Sequence, residues 1–204
     1  MRIIELNSTH ASDAARLHIA GQPGTFLTSL GPDVLTVFYR ALPQSPVGFG
    51  FAAVEAQKMV GFVSATTSTS RLFLELGIRR LPHFFPPLLR RFAERPQLIL
   101  HCMQTLFYPW LQHGHPDDTT IAAELLSIMV EPTWRSQGIG AQLLQRLVDQ
   151  CDARQFAALD VTVAADNAGA RRFYARHHFS QLGTLQLYGR AMCSYRRLLT
   201  TIQP

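Results

Sequence analysis

Two stretches of the chain combine residue types and spacing that could do chemistry. The first is Val130-Glu131-Pro132-Thr133-Trp134-Arg135-Ser136-Gln137-Gly138-Ile139-Gly140-Ala141-Gln142-Leu143-Leu144. An apolar run passes through a short polar turn into a helical pattern whose first turn holds two glycines. Backbone N–H groups at a helix start lack partners within the helix, and the helix dipole adds partial positive charge behind them. Gly138 and Gly140 let a ligand approach the main chain, so this segment reads either as a cradle for a pyrophosphate or as an ordinary glycine-containing strand-to-helix turn. The second stretch is Asp166-Asn167-Ala168-Gly169-Ala170-Arg171-Arg172-Phe173-Tyr174, a capped helix that ends on two aromatics. A third, His113-Gly114-His115-Pro116-Asp117-Asp118, imitates a metal site. Loops rich in Gly, Pro and Asp have this composition without binding anything, so no metal is expected. His101-Cys102 reads as core rather than a reactive thiol, because no base or helix start accompanies it.

The elements that must position these residues follow from periodicity. Residues 2–6 predict a strand, and Asn7-Ser8-Thr9 supplies cap chemistry for a helix over about 9–20. A second helical stretch carries Phe26, Leu27, Leu30, Val34, Leu35, Phe38 and Leu42, restarting at Gly31-Pro32-Asp33. Residues 48–55 and 59–66 predict a hairpin turning at Ala56-Gln57-Lys58. From 69 to 116 arginines interleave with Leu and Phe, and Pro82, Pro86-Pro87 and Pro96 predict several short amphipathic helices. Ala122–Val130 predicts a strongly apolar strand, Gly138 opens a helix through Cys151, and Leu159, Val161 and Val163 alternate with Asp160 and Thr162 as a strand. A short helix to about 176 and strands over 179–188 and 191–199 complete an α/β order without repeats.

Composition excludes several classes. The chain has 204 residues, 47% hydrophobic and 16% charged, which supports one sizeable core and not a disordered protein. Its net charge of +5 is modest, and Lys58 is the sole lysine, an Arg bias that does not by itself make a nucleic-acid surface. Apolar runs are broken before the roughly 18–20 residues that a membrane span needs. Glu5 and Asn7 interrupt any signal-peptide core. Cys102, Cys151 and Cys193 are widely spaced with no CxxC pairing, so a reducing cytoplasm is expected.

Arg135, Gly138 and Gly140 resemble the Arg/Gln-x-x-Gly-x-Gly/Ala signature of the GCN5-related N-acetyltransferase (GNAT) superfamily. Asn167 to Tyr174 is similar to that family's N-x-x-A-x-x-F-Y segment, and Val60-Gly61-Phe62-Val63 to its third strand. The resemblance implies one GNAT-like domain over residues 1–204 with a helical insertion at about 69–116. Its fold class is α/β: a mixed, mostly antiparallel sheet with splayed central strands, helices on both faces, and the helical insert between strands 3 and 4. It implies acetyl-CoA as acyl donor, wedged between strands ending near Val130 and Val163. Amides of Gln137, Gly138, Gly140 and Ala141 would hold the pyrophosphate, with Arg135, Ser136 and Ile139 beside them. Main-chain groups of Ile128, Met129 and Val130 would pair with the pantetheine arm, and Asn167, Ala170 and Phe173 would border the cofactor.

Acyl transfer to an amine needs a base, an oxyanion donor and an acid for the departing thiolate. By resemblance Tyr174 would be the acid, a main-chain N–H near Met129 or Val130 freed by a bulge the donor, and Glu124 or an ordered water the base. Glu124 precedes Val130 by six residues, and strand alternation predicts both on one face. His178-Phe179 departs from the family's usual Gly-Phe, so either His178 adopts an uncommon backbone conformation or the helix ends differently. The resemblance thus implies an N-acetyltransferase acting on a small-molecule or peptide amine in a ternary complex. A non-catalytic acyl-CoA-binding module and a transferase of longer acyl chains are the alternatives. The 69–116 segment is read as a lid or a homodimer surface ahead of a membrane contact, and no nucleic-acid partner is expected.

Overall fold

A computed structural model describes residues 1–79, 81–99, 122–187 and 189–199. The described residues form one seven-stranded sheet in the order β1 (Arg2–Glu5), β2 (Gly48–Glu55), β3 (Lys58–Thr66), β4 (Ala122–Val130), β5 (Ala158–Ala164), β7 (Arg190–Leu198) and β6 (Ser180–Leu187). Every neighbouring pair is antiparallel except β4 and β5. That parallel pairing covers only Ala122–Leu125 against Ala158–Val161. Beyond it β4 keeps only its β3 partner and β5 only its β7 partner, so a gap opens between the two central strands. The parting coincides with a bulge. Ser64 pairs with Ser127 but Ala65 with Leu125, which leaves Leu126 as the extra residue on β4.

Strand alternation divides the core between the two faces of this sheet. Phe51, Ala53 and Val63 meet Leu143, Leu144 and Leu147 of α6 (Ile139–Ala153) on one face. On the other, Ala52, Phe62 and Met129 meet α1 (Ala11–Gly21) and α3 (Pro32–Ala41). Each fully buried Leu contributes roughly 1.5–3 kcal/mol relative to exposure, so the apolar face of α6, which also buries Ile139, Val148 and Cys151, anchors the cradle at its N-terminus. Asn7 caps the chain's entry to α1 by accepting from the Thr9 N–H at 3.0 Å, and Pro32 opens α3 behind Gly31, whose φ is 89°. Between them lies α2 (Phe26–Ser29).

Between β3 and β4 the described residues include α4 (Thr69–Arg79) and α5 (Leu81–Glu94). Residues 100–121, which hold the His113-Gly114-His115-Pro116-Asp117-Asp118 motif, His101 and Cys102, lie outside the described residues. Pro86 and Pro87 do not break α5 as their chemistry predicts. They delete two N–H donors, but Phe84, Leu88 and Phe92 pack together against Phe26, Leu30 and Val34, and this burial holds the helix continuous. The last helix is α7 (Ala168–Arg176). Among the described residues no helix is long and apolar enough to cross a membrane.

Candidate active site

The gap between β4 and β5 is the middle of a cleft of about 1710 Å³. At one end stands the start of α6. Gly138 is its N-cap in the left-handed conformation, φ 77°, and accepts the Gln142 N–H at 3.0 Å through its carbonyl. A Cβ at Gly138 would meet little, so glycine is required there by backbone conformation. Ser136 also has positive φ, 62°, and Gly138, Ile139, Gly140 and Ala141 at the start of α6 line the cleft. The Arg135 Nε donates to the Val130 carbonyl at 3.1 Å, folding that side chain over the end of β4.

Hydrogen-bond direction along β4 sorts the main-chain groups at the gap. The Glu131 N–H donates to the Val60 carbonyl at 2.8 Å, so Glu131 faces β3. Because successive residues of a strand alternate, Met129 faces β3 too, while Ile128 and Val130 direct their N–H groups into the gap. The expectation that Met129 offers main-chain groups to a ligand is therefore corrected: it lines the cleft by its side chain. The bulge lies at Leu126 and not at Met129 or Val130.

The same bulge corrects the expected placement of Glu124. Ala123 and Leu125 point to the α6 face before it, and Ile128 and Val130 point there after it. The extra residue shifts the phase of alternation, so Glu124 and Val130 lie on opposite faces. Glu124 instead turns toward α4, where it accepts a short hydrogen bond from the Thr69 hydroxyl at the cleft wall. Burial, opposed by that hydrogen bond and reinforced by the charge of Asp160, raises its carboxyl above the usual carboxylate range.

Tyr174 is held by the way α7 ends. The Phe179 N–H donates to the Tyr174 carbonyl at 3.1 Å and the His178 N–H to the Ala175 carbonyl at 3.3 Å. This is a Schellman cap with His178 in the left-handed position, φ 65°, and with Phe179 stacked edge-on against Tyr174 at 5.2 Å. His178 therefore takes the uncommon backbone conformation. Tyr174 is 4% exposed, and burial raises its phenol further above its ordinary value, so it remains a proton donor at any working pH. Asn167 caps the start of α7, its Oδ1 accepting from the Ala170 N–H at 3.0 Å.

The two sequence motifs meet in space: a Cβ on Gly140 would touch the Phe173 ring at 3.6 Å. The cleft is lined by Glu124, Ile128, Met129, Val130, Arg135, Ser136, Gly138, Ile139, Gly140, Ala141, Asn167, Ala170, Phe173 and Tyr174. Gln137 is not part of that lining, and its side-chain amide donates to the Thr133 carbonyl at 3.4 Å. Thr69, Phe73, Leu126, Ser127 and Arg190 also line the cleft, although no local motif marks them. The only signal for Thr69 and Phe73 was the reading of the 69–116 segment as a lid. Among the described residues there is no group of three or more metal-ligating side chains.

The sheet opens between its two parallel central strands, with the start of α6 at the opening. Residues 92–179 match the model of the Acetyltransferase (GNAT) family. A 59-residue stretch, 29% of the chain, is 37% identical to the [ribosomal protein bS18]-alanine N-acetyltransferase of Escherichia coli (strain K12) and spans 40% of that relative's length. The solved ribosomal-protein-S18-alanine N-acetyltransferase from Escherichia coli shares the fold, with TM-score 0.62 and 17% identity over 99% of this chain and 96% of that one. Arabidopsis thaliana NAA60 in complex with a bisubstrate analogue does so with TM-score 0.63 and 14% identity over 98% and 99%. Its complex with acetyl-CoA gives 0.62 and 14% over 97% of each chain. Residues 92–179 thus resemble the GNAT family, and the chain shares the fold of these solved acetyltransferases.

Proposed function

We propose that the protein is an N-acetyltransferase that moves acetyl from acetyl-CoA to a primary amine by direct attack within a ternary complex. The observation that carries this reading is the β4–β5 gap with the first amides of α6 at one end and Tyr174 beside it. Gly138, Ile139, Gly140 and Ala141 would hold the pyrophosphate by main-chain N–H groups, with Arg135 and Ser136 at the rim. Ile128 and Val130 would pair with the pantetheine arm. Bound there, acetyl-CoA supplies the thioester that the amine attacks.

The residues divide the remaining work. Glu124, held by Thr69, takes the proton of the incoming ammonium, and burial, by raising its carboxyl above the usual carboxylate range, makes it a stronger base than an exposed carboxylate. A gap-facing N–H of Ile128 or Val130 stabilises the tetrahedral oxyanion. Tyr174 gives its proton to the departing thiolate, and burial keeps its phenol protonated until the thiolate forms beside it. The alanine amino group acted on by the bS18 relatives makes a peptide α-amine the first acceptor to test. We place the enzyme in the cytoplasm, in keeping with the buried free thiols of Cys151 and Cys193. A homodimer through α5, where Phe85 and Leu89 are exposed, is the assembly we favour over membrane contact.

A screen of thiol release from acetyl-CoA across alanine-terminated peptides and small amines tests the proposal. Turnover on at least one amine, reduced at least 100-fold by Tyr174→Phe, is expected. Tight binding of CoA without turnover on any amine would support a non-catalytic module instead. Preference for palmitoyl-CoA over acetyl-CoA would point to a longer acyl donor.

A further inference from the structure

Between α1, α3 and β4, His18, Tyr39 and Ser127 bury three polar side chains together, none of them used above. The Tyr39 hydroxyl donates to the Ser127 Oγ at 3.2 Å and lies 2.6 Å from the His18 Nδ1. The Ser127 Oγ is 3.4 Å from the same nitrogen. Ser64, the cross-strand partner of Ser127, is close to the Tyr39 hydroxyl as well, but its Oγ makes no hydrogen bond among the described residues. The His18 Nε2 is buried and without a partner among the described residues. An apolar trio would fill this space without leaving a polar atom unsatisfied, so the cluster calls for a use.

The protons can be assigned one by one. With the Tyr39 proton on Ser127, a bare Nδ1 at 2.6 Å would set its lone pair against that of the Tyr39 oxygen. The tautomer with the ring proton on Nδ1, donating to Tyr39, removes that clash. Burial keeps the ring neutral, lowering its pKa to about 4, so the unpartnered Nε2 is a bare acceptor. Interiors tolerate an unpaired acceptor better than an unpaired N–H donor, which favours this tautomer over the reverse. In this tautomer Nδ1 donates to Tyr39 and Tyr39 to Ser127, which leaves one proton uncommitted, that of Ser127. Ser127 lines the cleft directly after the bulged Leu126 and next to the gap-facing Ile128.

We propose that the Ser127 hydroxyl is a side-chain hydrogen-bond donor to the carbonyl oxygen of a bound acyl thioester, with Tyr39 and His18 as the positioning residues that aim it. The inference rests on the acyl-CoA reading and adds to it a donor beside the main-chain N–H groups. It is tested by infrared difference spectroscopy of acetyl-CoA labelled with carbon-13 at the thioester carbonyl, together with calorimetric titration of acetyl-CoA and free CoA. In the unsubstituted protein the bound carbonyl band is expected at lower frequency than in solution. Ser127→Ala should return it toward the free value and weaken acetyl-CoA binding about three- to tenfold while leaving CoA binding unchanged. Tyr39→Phe should shift the band partway, and Ser127→Thr, which keeps the hydroxyl, should retain the low-frequency band. Intact CoA binding by Ser127→Ala with an unmoved band overturns the proposal alone. An unsubstituted protein that binds neither CoA nor acetyl-CoA overturns the acyl-CoA reading and this donor with it.

Discussion

At position 178 an L residue occupies the left-handed cap of α7, directly behind the helical turn that carries Tyr174. Glycine takes that conformation without a Cβ penalty, so His178→Gly should stabilise the fold by about 1 kcal/mol, read as a shift in the urea midpoint. A loss of stability would mean that the imidazole makes a contact worth more than the strain. Glu124 and His18 give opposite pH signatures. The folded-state pKa of Glu124 is raised, so its contribution to stability is fully present at low pH and is lost as pH rises through that pKa. Glu124→Gln should therefore gain stability relative to the unsubstituted protein as pH rises through that pKa. It should also lose the rising limb of the pH–rate profile, with kcat down by roughly 10²–10⁴-fold. His18 is lowered from 6.5 to about 4, so its contribution is present above 6.5 and is lost as pH falls toward 4. A His18→Gln variant should lack that part of the acid limb in a urea-midpoint series against pH.

At the scale of elements, β4 sets the geometry of the cleft through one extra residue. Its apolar run and its ends, Ala122 and Val130, were legible in the sequence, as were the glycine turn and the start of α6. The bulge was expected somewhere in this strand, but its place at Leu126 depends on pairing with Ser64 and Ala65, more than 60 residues away, and no local pattern records that. The face of Glu124 was misread for the same reason: alternation counts residues, and a bulge changes the count. Thr69 escaped notice because a lone hydroxyl at a helix start carries no signal until the strand it meets is known. The uninterrupted α5 shows a different limit, since tertiary burial of Phe84, Leu88 and Phe92 outweighs what Pro86 and Pro87 do locally. At the start of α6, Gly138→Ala keeps the charge and size of the cradle nearly unchanged but disfavours φ 77°. It should weaken CoA binding by about tenfold, consistent with the roughly 1–2 kcal/mol that a left-handed L residue costs. Unchanged affinity would show that the turn does not need its glycine.

At the scale of the whole molecule, the sheet is held on both faces and open along the line between β4 and β5. A ligand lying in that opening joins the β1–β4 half to the β5–β7 half, so binding should stabilise the entire fold. Acetyl-CoA at about 100 times its Kd is expected to add roughly 2.7 kcal/mol to the unfolding free energy. The central claim is that the gap and the α6 cradle form one acyl-CoA site, and calorimetric titration of the purified protein with acetyl-CoA tests it most directly, run beside Gly138→Glu. A single site of micromolar affinity that Gly138→Glu abolishes, by placing a carboxylate and a strained backbone against the phosphates, is the predicted result. Absence of binding in the unsubstituted protein, or binding that Gly138→Glu leaves intact, would contradict it.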